Sequence, residues 1–116
     1  MQAELWTFKK DVPSREIEGF DVEARDGSIG KIDELSDEVG RAAVVVDTGP
    51  WIFGRKVVVP AGAIERIDLN ENKVRVAMTK DQIKNSPEFD PDRGWRDDEY
   101  HTRLSAYYDE GMRRAS

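Results

Sequence analysis

Cysteine is absent from this 116-residue chain, and histidine occurs once, at His101. The absence of cysteine excludes disulfides, thiolate zinc sites, iron–sulfur clusters and cysteine nucleophiles. A single histidine excludes a metal site built from several histidines of one chain. Apolar runs of about 18 residues, which a membrane-spanning helix needs, are missing too. These absences predict a domain with no membrane span, no resident metal and no cofactor.

The net charge and the length of the chain further restrict the kind of protein that it can be. The chain carries 24 acidic and 18 basic residues, a net charge of −6. Such a charge favours solubility and disfavours nonspecific binding to nucleic acid. The length suits one domain with a core of its own. Because the first residues, MQAELWTFKKD, lack the apolar stretch of a secretory signal, we expect a cytoplasmic protein.

Leucine is scarce, and this scarcity indicates a β-rich core. Isoleucine and valine together number 18 against four leucines, and 16 of the 18 lie between Phe20 and Ile83. Helical cores use leucine, whereas β-branched residues suit a pleated sheet. The sequence therefore predicts an N-terminal arm at residues 1–16, a barrel-like domain at 17–86, and an acidic linker with a helix at 87–116. Residues 17–86 are expected to fold as the cooperative unit, with the tail separable from it.

Six short strands separated by turns are predicted, most of them from alternation of apolar and polar residues. The third is predicted from a continuous Ala-Val run, which indicates burial on both faces of the strand. Asp26-Gly27 is a strong hairpin signal, and Gly30 suggests a bulge in the strand that follows. Thr79 can cap a short helix, and a longer helix is expected from Asp97 to Met112. The predicted strands are Phe20–Arg25, Ile29–Leu35, Ala42–Thr48, Arg55–Val59, Ile64–Leu69 and Lys73–Met78.

Five segments follow one another in an order that is typical of one known family: Gly19–Val22, Asp26–Leu35, Ala43–Gly49, Trp51–Pro60 and Ile83–Pro87. Together they resemble the stand-alone bacterial members of the PRC-barrel family, over about residues 17 to 91. The family takes its name from the cytoplasmic domain of the photosynthetic reaction centre H subunit. The resemblance implies an all-β fold, a small antiparallel six-stranded β-barrel, here with a short C-terminal helical extension.

The resemblance also bears on function. Members act as docking or regulatory domains of larger assemblies, and no catalytic motif defines the family. It implies a non-enzymatic protein-interaction or regulatory module with an unidentified protein partner. The alternative is an accessory domain for RNA or ribosome assembly, similar to the C-terminal domain of a ribosome-maturation factor.

Carboxylates are plentiful, but their pattern predicts no catalytic or metal site. They lie around turns and at a helix start, as on any solvated acidic surface, whereas acid–base catalysis needs a fixed pair in a desolvated cleft. The spacing from Asp90 to Glu99 does not match a calcium-binding EF-hand loop. Arg55 and Lys56 form the only basic pair that is contiguous in the barrel, so nucleic acid is not an expected partner.

Aromatic residues give the strongest functional signal, because they stand where polar residues are the norm. One group interrupts a connection between strands, and the other forms a stripe along the tail helix. Such residues either cover their own barrel or contact another protein. We predict a protein interface and a homodimer formed by these groups: Trp51, Ile52, Phe53, Tyr100, Leu104, Tyr107 and Tyr108.

Overall fold

The computed structural model describes residues 6, 14–36, 38, 41–49, 55–88 and 92–115. These residues form one six-stranded sheet, two α-helices and two short 3₁₀ turns at Ser14–Ile17 and Ala61–Ala63. The strands are β1 Asp21–Ala24, β2 Gly27–Ser36, β3 Ala43–Asp47, β4 Lys56–Pro60, β5 Ile64–Asp68 and β6 Lys73–Val76, and the helices are α1 Lys80–Lys84 and α2 Asp98–Ala115.

The sheet is mixed, which corrects the expectation of a purely antiparallel barrel. Its strand order is β4-β3-β2-β1-β6-β5, and every neighbouring pair is antiparallel except β1 and β6, which run parallel. The parallel pairing of β1 and β6 results from the connection between β4 and β5. The chain passes through the turn at Ala61–Ala63 without reversing its direction within the sheet, so β6 returns parallel to β1.

That turn also shows how strongly the sheet is bent. It joins β4 at one end of the strand order to β5 at the other end through three residues. Its two ends are held by backbone hydrogen bonds, from Ala61 N to Ala42 O at 3.0 Å and from Ala77 N to Ala63 O at 2.8 Å. Among the described strands β4 and β5 do not pair, so the sheet is barrel-like but not closed.

Two glycines set the geometry of the β1–β2 hairpin. Ala24 pairs with Gly27, which leaves Arg25 and Asp26 as the two-residue turn. Further along, Val22 pairs with Gly30 but Glu23 pairs with Ser28, so β2 carries one extra residue. The predicted bulge is therefore confirmed. Gly30 has a φ of +147°, and a Cβ at this position would lie 2.0 Å from the carbonyl oxygen of Asp47 in β3.

The core is built from the β-branched residues of the central strands. Val44, Val45 and Val46 are all buried, which confirms that β3 is covered on both faces. The helices add to this core at its margins. Helix α1 begins at a capping box in which the Thr79 hydroxyl accepts from Gln82 N and the Gln82 side chain accepts from Thr79 N.

The C-terminal helix α2 is longer than the sequence indicated, since it continues to Ala115. Asp97 caps its start, because one carboxylate oxygen accepts a hydrogen bond from Tyr100 N at 3.0 Å. Within the described part of the chain, no helix is long and apolar enough to cross a bilayer.

Candidate interaction surfaces

The aromatic stripe of α2 packs inward, on the chain's own sheet. Tyr100, Leu104 and Tyr108 belong to the same buried cluster as the strand valines, and Leu104 is only 1% exposed. The Tyr108 hydroxyl donates to the carbonyl of Val58 at 2.9 Å, which satisfies an acceptor of the edge strand β4. The helix therefore covers one edge of the sheet, and such a cover prevents pairing with another chain.

The other tyrosine hydroxyls are also bonded within the chain. Tyr100 donates to the carbonyl of Pro87 at 3.0 Å, and Tyr107 donates to the carbonyl of Gln82. Burial raises the pKa of Tyr100 to about 12 and raises the pKa of Tyr108 as well. Tyr107 is half-buried and lies edge-on to Tyr108, with ring centroids 5.3 Å apart. All three rings stay neutral at physiological pH, and their hydroxyls attach α2 to β4, to α1 and to the segment between the two helices.

This packing bears on the part of the predicted protein interface that lies on α2. In this structure Tyr100, Leu104 and Tyr108 lie in the buried cluster of their own chain. As they lie here, these three side chains present no free surface to a partner, because the chain's own core occupies them. Residues Trp51, Ile52 and Phe53 lie outside the described residues, so their part of the predicted interface rests on the sequence alone.

The homodimer remains a prediction. It can be tested by substitution within residues 51–53. If Trp51 anchors a dimer, Trp51→Ala should shift sedimentation toward a single species of 13.2 kDa, the mass of one chain. Loss of a large aromatic anchor at an interface costs about 2 kcal/mol or more, roughly a thirtyfold weaker association. Leu69, the one large hydrophobic residue exposed in the described part, gives the matched control, Leu69→Ala. A wild-type chain that stays monomeric at high concentration would contradict the dimer.

Trp6, in the expected arm, is buried. Its ring lies 4.5 Å from that of His101, centroid to centroid, and its carbonyl accepts a hydrogen bond from Ala42 N at 2.8 Å. Burial lowers the pKa of His101, the Arg41 charge lowers it further, and Asp98 opposes both. His101 and Trp6 line a cavity of about 60 Å³, and the ring of His101 serves as packing surface there.

The carboxylates near the barrel are used in structural contacts. Asp33 accepts from the Lys56 ammonium at 2.8 Å, and this contact raises the pKa of Lys56. Glu34 accepts from the indole N–H of Trp95 at 2.8 Å. Over the described ranges, no group of three or more metal-ligating side chains comes together. Asp90, where the predicted acidic stretch starts, lies outside those ranges.

The basic pair that the sequence singled out is also occupied. The Arg55 guanidinium donates to the carbonyls of Lys84 and Ser86, the latter at 2.7 Å, and its Nε lies 3.2 Å from Glu88 Oε1. Arg55 therefore binds carbonyls at the end of α1, where a cation is favourable. Lys56 is likewise paired, with Asp33.

A different set of cations comes together on the outer face of β5 and β6. Arg66 pairs with Arg75 across the two strands, and Lys73 lies on the same face, two residues before Arg75. We call Arg66, Lys73 and Arg75 the cation patch. With Glu23 and Asp68 they line an open depression of about 140 Å³.

Sequence reasoning missed the cation patch, because its members come from two strands that a hairpin brings together. Only the alternation Lys73-Val74-Arg75 signalled that two cations would share one face of β6. The partnership with Arg66 depends on the β5–β6 register, which contains a shift between Ile64 and Arg66. A shift of that kind cannot be derived from composition or charge spacing.

Comparisons with known proteins show a likeness to a solved structure. No family model matches the chain, and no curated protein matches it. Among solved structures, the chain is similar to RimM of Pseudomonas aeruginosa, named as a 16S ribosomal RNA processing protein, with a TM-score of 0.50 and 25% sequence identity. The match covers 63% of this chain and 49% of the other, so this chain spans about half the length of that protein. The two share a β-rich, barrel-like fold over the matched part.

Proposed function

We propose that this chain is a non-enzymatic accessory domain for ribosome assembly with a PRC-barrel fold. The single observation that carries the proposal is the likeness to RimM, at 25% identity over 63% of the chain. That likeness favours the ribosome-assembly alternative of the sequence analysis over a general interaction module. A cytoplasmic location belongs to the same proposal.

The described side chains fit a docking role, because their polar groups serve mainly to hold the fold. His101 packs against Trp6, Asp97 caps α2, and Asp33 pairs with Lys56. A partner would therefore contact the outer surface of the domain. That surface is acidic, except at the cation patch on β5 and β6. A domain of this kind would act by binding to a particle and positioning components there.

Co-sedimentation tests the proposal. The purified chain is mixed with mature small ribosomal subunits or with immature small subunits, and each mixture is separated on a sucrose gradient at about 50 mM and 200 mM salt. We expect the chain to travel with the immature particles, and to be released as salt rises if charged contacts contribute. An unrelated acidic protein of similar size serves as the control.

The outcome that contradicts the proposal is equally clear. If the chain stays at the top of the gradient with both particle preparations at low salt, it is not an assembly accessory of the small subunit. Equal recovery of the control protein in the particle fractions would also contradict it, since trapping would then explain the result.

A further inference from the structure

We propose that the cation patch binds the phosphate backbone of RNA, with Arg66 and Arg75 as the principal contacts and Lys73 beside them. This inference rests on the proposed role in ribosome assembly and deepens it by naming the chemistry of one contact. The protein as a whole has a net charge of −6, but three cations lie close together on the outer face of β5 and β6.

Two like charges lie opposite each other in the patch. Arg66 and Arg75 are direct partners in the antiparallel β5–β6 pair. Side chains at such positions have their Cβ atoms about 5 Å apart, and like charges placed there destabilise the sheet. A local arrangement that opposes folding is expected at functional positions, where a ligand restores the balance.

Carboxylates of the chain compensate this patch in part, since Asp21 and Glu23 of β1 lie beside Lys73 and Arg75 in the β1–β6 pair. Glu23 lies 3.8 Å from the Lys73 ammonium and 3.7 Å from the Arg75 guanidinium, at the outer limit of an ion pair in both cases. Asp68 lies opposite Lys73 in the β5–β6 pair and keeps its negative charge there, while its Oδ1 accepts hydrogen bonds from the backbone N–H groups of Asn70 and Glu71, both at 3.0 Å.

Arg66 is the least compensated member of the patch. Within the part of the chain that the structure describes, its guanidinium has no ion-pair partner, whereas the neighbouring Arg25 lies 3.1 Å from Glu65. The Arg75 side chain is 59% exposed, so its donors are open to a ligand as well. An anion that approaches this depression meets two guanidinium groups and an ammonium, as well as the carboxylates of Glu23 and Asp68.

The donor chemistry favours phosphate. A guanidinium presents a planar fork of N–H donors that matches two oxygens of a phosphate, and two opposed guanidiniums can share one group or bind successive groups. The depression is open and shallow, on a sheet face, which suits a backbone running across the surface better than a small molecule enclosed in a pocket. Among phosphate-bearing partners, the proposed role selects RNA.

The salt dependence gives the sharpest measurement. Fluorescence anisotropy of a labelled oligouridine measures binding between about 50 mM and 200 mM salt. Three cation–phosphate contacts predict a slope of about −2 for log K against log salt, or roughly a twentyfold loss over this range. The double variant Arg66→Ala/Arg75→Ala keeps one contact, so its slope should fall to about −0.7, with affinity at least about tenfold weaker at low salt.

Two further variants separate the patch from general charge. Lys84→Ala/Arg103→Ala removes the same number of cations from exposed positions elsewhere and should keep the wild-type slope. Glu23→Gln removes the carboxylate between Lys73 and Arg75 and should tighten binding. The four substituted cations are exposed, so a thermal melt of each variant is expected to show an intact fold.

The outcomes distinguish this inference from the proposed function. RNA binding that is absent, equally weakened in both double variants, or unchanged in the patch variant overturns the patch. Stabilisation by inorganic phosphate without RNA binding would identify a small-anion site and overturn it too. If the patch variant still travels with immature subunits, the accessory role stands without the patch. If the wild-type chain binds RNA through the patch but does not travel with the particles, the patch stands and the accessory role fails.

Discussion

Gly30→Ala is expected to lower the free energy of unfolding by about 2–5 kcal/mol. Two effects add at this position. The φ of +147° is unfavourable for any residue with a Cβ, and the new Cβ would meet the Asp47 carbonyl oxygen at 2.0 Å. Because that oxygen belongs to β3, the β2–β3 pair must separate to accept the methyl group. Chemical denaturation of the two proteins measures the difference.

Gly19 provides the control that separates the two effects. Its φ is +83°, but a Cβ there would have no atom within 4 Å. Gly19→Ala should therefore cost only the conformational term, about 1–2 kcal/mol. Equal losses for the two variants would show that the approach of β3 to Gly30 does not matter, and the bulge would not be a point of close packing.

Removing the tail, residues 92–116, is expected to abolish cooperative thermal unfolding. The deletion uncovers the core that Tyr100, Leu104 and Tyr108 cover, and each fully buried large side chain contributes about 1.5–3 kcal/mol. Their sum is comparable with the whole stability of a small domain, about 5–15 kcal/mol. Circular dichroism during a thermal melt reports the result.

A point substitution tests the same packing without shortening the chain. Leu104→Ala should cost about 2–5 kcal/mol, whereas Thr102→Ala, on the exposed side of the same helix, should stay within about 0.5 kcal/mol. These two measurements also test the domain boundary that the sequence predicts at residue 86. A truncated chain that keeps its β-type spectrum and its melting midpoint would show that the tail is separable, as the sequence predicts.

Much of the fold could be predicted because its signals are local. Alternation and one continuous Ala-Val run located all six strands to within a few residues, Gly30 indicated the bulge, and Thr79 indicated the start of α1. Each of these features depends on a few neighbouring residues, through side-chain periodicity, a positive φ or a cap. Such information is present in any short stretch of sequence.

The topology and the candidate site could not be predicted, because they depend on contacts between distant segments. The parallel β1–β6 pair follows from a turn at Ala61–Ala63 that does not reverse the chain, and the residues of that turn carry no mark of this. The stripe of Tyr100, Leu104 and Tyr108 was recognised as apolar, but its period is the same whether it covers its own barrel or another protein. The cation patch required the β5–β6 register.

The parallel pairing of β1 and β6 has a consequence for how quickly the protein folds. Strands β1 to β4 can form successively as hairpins, and β5 with β6 can form another, all from contacts that are near in sequence. Joining Val22 to Val74 must instead close the long loop that contains nearly the whole barrel. Since non-local closure lowers folding rates, docking of the β5–β6 hairpin onto β1 is expected to limit the rate. Because the β3–β4 hairpin is then formed before docking, substitutions within it should slow refolding and leave the unfolding rate nearly unchanged.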